Sequence, residues 1–142
     1  MSYKNSSSKS DHTHTHARAH THTDSIFDIP IFAKLYEFYK NLSVYILSFP
    51  KIKRYTIGQK LDKTTLEIFK NIISAAYISG EQKLPAIEKA ITNVNFLKIL
   101  IRLAKDTKAL DNKKYILLEQ DLQEIGRMLG GWKKSVSKEG TF

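Results

Sequence analysis

From Ile26 onward the apolar side chains recur at helical spacing, and this pattern narrows the possible folds more than any other feature of the chain. Phe32, Leu35, Tyr39, Leu42, Ile46 and Phe49 step by 3, 4, 3, 4 and 3, which places them along one face of a helix over about 31–48. Phe49-Pro50 closes that segment, and Pro50 is tolerated beside the first turn of a second helix over about 51–79. Its stripe is Ile57, Leu61, Thr65, Ile68, Ile72 and Ala76, with Gly80 as the expected C-terminal cap. A third helix is predicted over about 81–108, with Pro85 in its first turns and Ile87, Ala90, Val94, Leu97, Ile101 and Ala104 as its stripe. Asp111 is the natural N-cap of a fourth. That helix carries Tyr115, Leu118, Leu122, Ile125, Leu129 and Trp132, and Gly130-Gly131 are expected to loosen its end. No alternating strand pattern competes. Short links force consecutive helices to run antiparallel, so the reading is an all-α, up-down-up-down antiparallel four-helix bundle over 26–134.

With 142 residues the chain has the length of a single domain. Residues 1–25 are Ser, Thr, Lys and His almost throughout and contain all five histidines, a composition that predicts a disordered tail. Alternating imidazoles on an extended chain bind metals loosely, and without fixed geometry no metal site is assigned there. Residues 135–142 read as a flexible polar tail. The chain has no cysteine, which removes disulfides and thiolate chemistry and fits a reducing cytoplasm. No stretch reaches the roughly 18 apolar residues of a membrane span.

Two helices carry more apolar surface than a monomeric bundle needs. On the second, Tyr55, Leu66, Ile73 and Tyr77 lie about 60° to 160° away from the core stripe. On the third, Phe96, Ile99 and Leu103 widen the arc in the same way. Such patches are rarely left open on monomers, so these residues are expected to form an oligomer interface, the alternative being thick packing within the bundle.

The body lacks the groups that most enzymes need. It has no histidine and no cysteine, no GxxxxGK[ST] phosphate loop, no GxGxxG turn and no HExxH pair, so no catalytic residue and no cofactor is assigned. Glu119 and Asp121 are two positions apart and cannot share a helix face. Charge is the remaining signal. The chain carries 23 Lys and Arg against 14 Asp and Glu, a net +9. Lys4, Lys9 and Arg18 against Asp11 and Asp24 account for only +1 of this, so the body is the basic part. Lys98, Arg102 and Lys105 fall at steps of 4 and 3 on one strip of the third helix. Lys51, Lys53 and Arg54 open the second helix beside Tyr55. Phosphate binding asks for little more than cations on a rigid surface, whereas base readout needs a groove geometry that spacing does not reveal. These six residues are the candidate nucleic-acid contacts, against the plainer reading of a solvated basic face.

Three stretches also carry a family resemblance. They are Phe49-Pro50-Lys51 through Arg54-Tyr55-Thr56-Ile57-Gly58-Gln59-Lys60, then Leu97-Lys98-Ile99-Leu100-Ile101-Arg102-Leu103-Ala104-Lys105-Asp106, and Glu124-Ile125-Gly126-Arg127-Met128-Leu129-Gly130-Gly131-Trp132. Over about 27–135 the chain resembles the accessory variability determinant (Avd) proteins of diversity-generating retroelements. These belong to a wider four-helix-bundle group that includes products of intervening sequences in 23S ribosomal RNA genes. The resemblance implies a non-catalytic, positively charged homopentamer that binds a reverse transcriptase and its template RNA or DNA. Such a protein supports mutagenic copying of a template repeat into a variable repeat. The alternative within the same group is an interaction or structural bundle with no retroelement attached. The histidine-rich leader and Pro85 stand outside the family pattern.

Overall fold

A computed structural model describes residues 26–139. The tail expected at 1–25, with its histidines, lies outside the described residues, as do 140–142. Within them the chain is helical throughout. Helix α1 spans Pro30–Leu47. Helix α2 is continuous over 51–77, with an α-helical turn Lys51–Lys53, a π-helical segment Arg54–Gly58 and an α-helical stretch Gln59–Tyr77. A 3₁₀ turn, Gly80–Lys83, leads into α3, Leu84–Asp106, and α4 spans Asn112–Glu139. Each helix packs against the next in sequence and α4 returns to α1. This is the antiparallel up-down-up-down bundle that the short links dictate.

The predicted stripes form the core. Leu35, Leu42, Leu61, Ile68, Ile72, Leu97, Ile101, Leu122, Ile125 and Leu129 are fully buried, each contributing about 1.5–3 kcal/mol of transfer free energy. A second cluster at the far end joins Ala75, Ile87 and Val136, with Trp132 packed against it. That cluster explains why α4 does not loosen at Gly130-Gly131 or end near Trp132 as the sequence suggested. Two helical glycines cost about 2 kcal/mol relative to alanine, and burial of Val136 and Trp132 offsets it. Ser135 therefore belongs to the helix, and the predicted tail boundary at 135 moves to the end of α4. Gly80 is displaced in a similar way. Helix α2 ends at Tyr77 with Ile78 extended, so Gly80, at φ +66°, opens the 3₁₀ turn rather than capping the helix. Pro85 sits in the first turn of α3, and the Lys114 amide donates to Asp111 Oδ1 at 2.8 Å, the expected cap of α4.

Two polar contacts set the helix register. Tyr39 donates to Asp62 across α1 and α2 at 2.5 Å, and Asn93 donates to Asn71 across α2 and α3 at 3.0 Å. The hydrogen bond to Asp62, then partial burial, then the nearby carboxylate charge, push the Tyr39 hydroxyl up to about 12.

The π segment is not signalled by apolar spacing. Gly58 is buried there, and a Cβ on it would lie 3.1 Å from Ile46 Cγ2 and 3.1 Å from the Lys53 carbonyl oxygen. The close approach of α1 to α2 thus needs glycine. A π segment closes i→i+5 bonds, so the residues before it are turned relative to an unbroken α-helix, by up to about 100° for one extra residue.

Candidate nucleic-acid interface

Topology brings the two basic groups found in the sequence to one end of the bundle. The links after α1 and after α3 lie at the same end, and a cleft of about 750 Å³ between them is lined by Ser48 and Pro50 on one side and by Lys105, Asp106, Lys108, Leu110 and Lys114 on the other. Lys51, Lys53 and Arg54 follow directly from the first wall. Lys105 closes the strip that climbs α3. Lys108, exposed Lys113 and Lys114 join this end although spacing along single helices gave no sign of them. Only the pairing of the two links reveals them, and that pairing is a property of the antiparallel topology.

The strip itself follows the seam between α3 and α4. Lys98 is half-buried and borders two adjoining grooves, one shared with Gln123, Gly126 and Arg127 and one with Arg102, Tyr115 and Glu119. Its Nζ lies 3.7 Å from where a Cβ on Gly126 would stand, so the bare backbone of α4 leaves the lysine its path across the seam. Lys105 Nζ sits 4.6 Å from the Tyr115 ring centre, a cation–π contact that fixes the amine over α4. Arg102 Nε is 3.5 Å from Asp106 and Lys105 Nζ is 3.9 Å from the same carboxylate. Exposed pairs of this kind contribute about 0–1 kcal/mol and are screened by salt, so a phosphate can replace Asp106 as the partner at little cost. On α4, Arg127 is bound to Glu124, Lys133 to Glu88 and Lys114 to Asp111. Lys98 makes no ion pair among the described residues.

Lys51 and Lys53 occupy the start of α2 with no acidic residue in its first turn, and from Phe38 through Leu61 the chain has no carboxylate at all. Cations at a helix N-terminus oppose the macrodipole by about 0.3–1 kcal/mol each. Arg54 Nε is buried and unpaired among the described residues, a further local cost. This end is therefore built against local stability, and an anion placed there relieves the repulsion.

The residues read as an oligomer interface are all exposed, with Leu66, Ile73 and Tyr77 at 42%, 38% and 50%. Leu66, Ile73 and Tyr77 lie on the side of α2 that leans toward α1, as do Asp62 and Phe69, which meet Tyr39 and Phe32. Exposed Phe27 and Tyr36 extend this face onto α1 through edge-to-face and stacked contacts with Phe32. Tyr55 stands about 16 Å along α2 from Leu66, within the π segment. Phe96, Ile99 and Leu103 are exposed as well, with Lys60 over the Phe96 ring. No group of side chains among the described residues has the make-up of a metal site, and no helix there is long and apolar enough to cross a membrane.

Fold and surface together define a basic four-helix bundle with a cationic seam that rises to a cationic end. A family model described as bAvd-like matches residues 31–136. The chain belongs to that family. It is an Avd-like protein, a family of accessory proteins of diversity-generating retroelements that implies association with the retroelement reverse transcriptase. No curated protein and no solved structure matches it.

Proposed function

We propose that the protein is a non-catalytic accessory subunit of a diversity-generating retroelement reverse transcriptase that holds template RNA or its cDNA through an electrostatic surface. The reading is carried by one observation: the strip of Lys98, Arg102 and Lys105 leads to a cleft that Lys105, Lys108 and Lys114 line, beside the helix start that carries Lys51, Lys53 and Arg54, and the carboxylates within it, Asp106 and Asp111, form only exposed ion pairs. A strand laid along the seam meets cations that bind phosphate without reading bases. Oligomerisation through the face of Leu66, Ile73 and Tyr77 multiplies the strip, so that weak contacts act together through effective concentration. The family resemblance makes the expected assembly a homopentamer, and the cysteine-free sequence fits a cytoplasmic setting. Its role is then to support mutagenic copying of the template repeat.

The test is a salt titration of RNA binding by the wild type and by Lys98→Glu/Arg102→Glu. Each phosphate contact contributes a slope of about −0.7 for single strands, so three contacts per subunit give about −2 in log K against log salt. The variant should stay helical and oligomeric while losing affinity, slope and support of reverse transcription. Unchanged affinity and slope would make the strip an ordinary solvated face. Ile73→Asp should dissociate the oligomer with helicity retained. A reverse-transcriptase gene with paired template and variable repeats beside this gene selects this reading, and their absence selects the interaction bundle without a retroelement.

A further inference from the structure

The four most exposed large apolar side chains among the described residues are neither in the core nor on the face of Leu66 and Ile73. Val44, Leu47, Ile52 and Tyr55, at 62%, 71%, 71% and 62%, all flank the tight turn between α1 and α2. The register of the two helices brings them together. Tyr39 meets Asp62, Phe32 meets Phe69 and Ile46 faces Gly58, and the same antiparallel count sets Leu47 abreast of Tyr55. Core contacts of α1 at this level are made by Leu42, Ile46 and Phe49, which turns Val44 and Leu47 outward. On α2 Ile52 and Tyr55 likewise stand away from the core.

We infer that this apolar knuckle is a docking surface for a polypeptide segment that combines apolar side chains with carboxylates. The inference rests on the accessory-subunit reading above, and the polypeptide it names is the reverse transcriptase. Charge selects the partner. Lys51, Lys53 and Arg54 flank Ile52 and Tyr55 along the chain, and no carboxylate occurs between Glu37 and Asp62. The contact between copies is assigned to the separate face of Leu66, Ile73 and Tyr77, which begins about 16 Å along α2 from Tyr55. Nucleic acid gains little, since three of the four side chains are aliphatic and offer no ring for a base to stack upon. A membrane surface calls for a longer amphipathic face than two helix ends provide. The apolar knuckle therefore meets the enzyme and the α3–α4 seam meets phosphate, with Lys51, Lys53 and Arg54 open to anions of either partner.

The experiment titrates nuclease-treated wild-type protein with the purified reverse transcriptase of the same retroelement, beside Leu47→Ser/Ile52→Ser and Lys98→Glu/Arg102→Glu. We expect the knuckle variant to bind the enzyme about 100-fold or more weakly, as loss of two central anchors does. Its helicity, sedimentation and affinity for RNA should be those of the wild type. The seam variant should show the opposite pattern. Lys51→Ser/Lys53→Ser should slow association and flatten its salt dependence. Enzyme binding by the knuckle variant at wild-type strength overturns the inference and leaves the accessory reading intact. A wild type that fails to bind the enzyme overturns both. Altered sedimentation of the knuckle variant would make the patch a contact between copies. Flotation of the wild type, and not the variant, with phosphatidylglycerol vesicles would make it a membrane contact. Either result overturns the assignment.

Discussion

Lys108 closes α3 in a conformation that its side chain disfavours, and relieving it should separate stability from binding. Its φ is +69°, and it is the one non-glycine residue with positive φ among those described. The geometry around it is a Schellman closure: the Lys108 amide donates to the Lys105 carbonyl at 3.0 Å and the Ala109 amide to the Ala104 carbonyl at 2.9 Å. Glycine usually fills this position. A side chain there costs about 1–2 kcal/mol, and the greater freedom of glycine in the unfolded chain returns about 0.5–1 kcal/mol of that. Lys108 is exposed, so no packing is lost with it. Lys108→Gly should therefore stabilise the fold by about 0.5–1 kcal/mol, or roughly 2–8 °C in Tm for a domain of this size. RNA affinity at low salt should fall in the same protein, because one cation has left the cleft. Lys108→Asn, which tolerates the left-handed region, separates charge from strain by losing affinity with a smaller gain in Tm. Thermal unfolding by circular dichroism and fluorescence anisotropy on labelled RNA read the two effects. An unchanged or lower Tm for the glycine variant would refute the strain argument, and unchanged affinity would remove Lys108 from the interface.

Gly58→Ala should destabilise the fold by about 1 kcal/mol in chemical denaturation, because crowding of Ile46 and the Lys53 carbonyl at 3.1 Å outweighs the helix-propensity gain; a stabilised variant would show that the π segment tolerates a Cβ. Tyr39→Phe should cost about 1 kcal/mol at pH 7. The folded chain holds the Tyr39 proton up to about pH 12 against an ordinary 10.0, so this contact's contribution is complete below pH 10 and is lost as pH rises toward 12. Wild type and variant should converge in stability over that window, and a constant gap would refute the assignment. Lys51→Glu places an acid at the start of α2 and should raise stability by about 1 kcal/mol while weakening RNA binding; a fall in Tm would show that Lys51 makes a contact that charge alone does not describe.

Core, topology and the cationic strip were legible because each depends on periodicity along one helix. Ile87, Ala90, Val94, Leu97, Ile101 and Ala104 were read as one stripe, and all six are buried. Features that depend on two segments meeting were not legible. The π segment answers to the approach of α1 at Gly58, and a shift of one hydrogen-bond partner leaves the apolar spacing of α2 readable as plain α. The run of α4 to Glu139 depends on Ala75 and Ile87 waiting to receive Val136. Lys108 and Lys114 sit in or beside a link with no periodicity of its own, and they gain meaning only from the turn across the cleft.

The bundle has unlike poles, and this carries a geometric consequence for any closed ring built from it. Cyclic symmetry repeats one orientation around one axis, so every copy turns its 48–50 and 107–111 links toward the same side. In a ring whose bundles run along its axis, charge that is local to one end of a subunit thus becomes a crown around one mouth, and the assembly acquires a front and a back. A nucleic-acid strand and a polymerase engaged at that crown would approach from a single direction, and a labelled strand end should be found at one mouth and not the other.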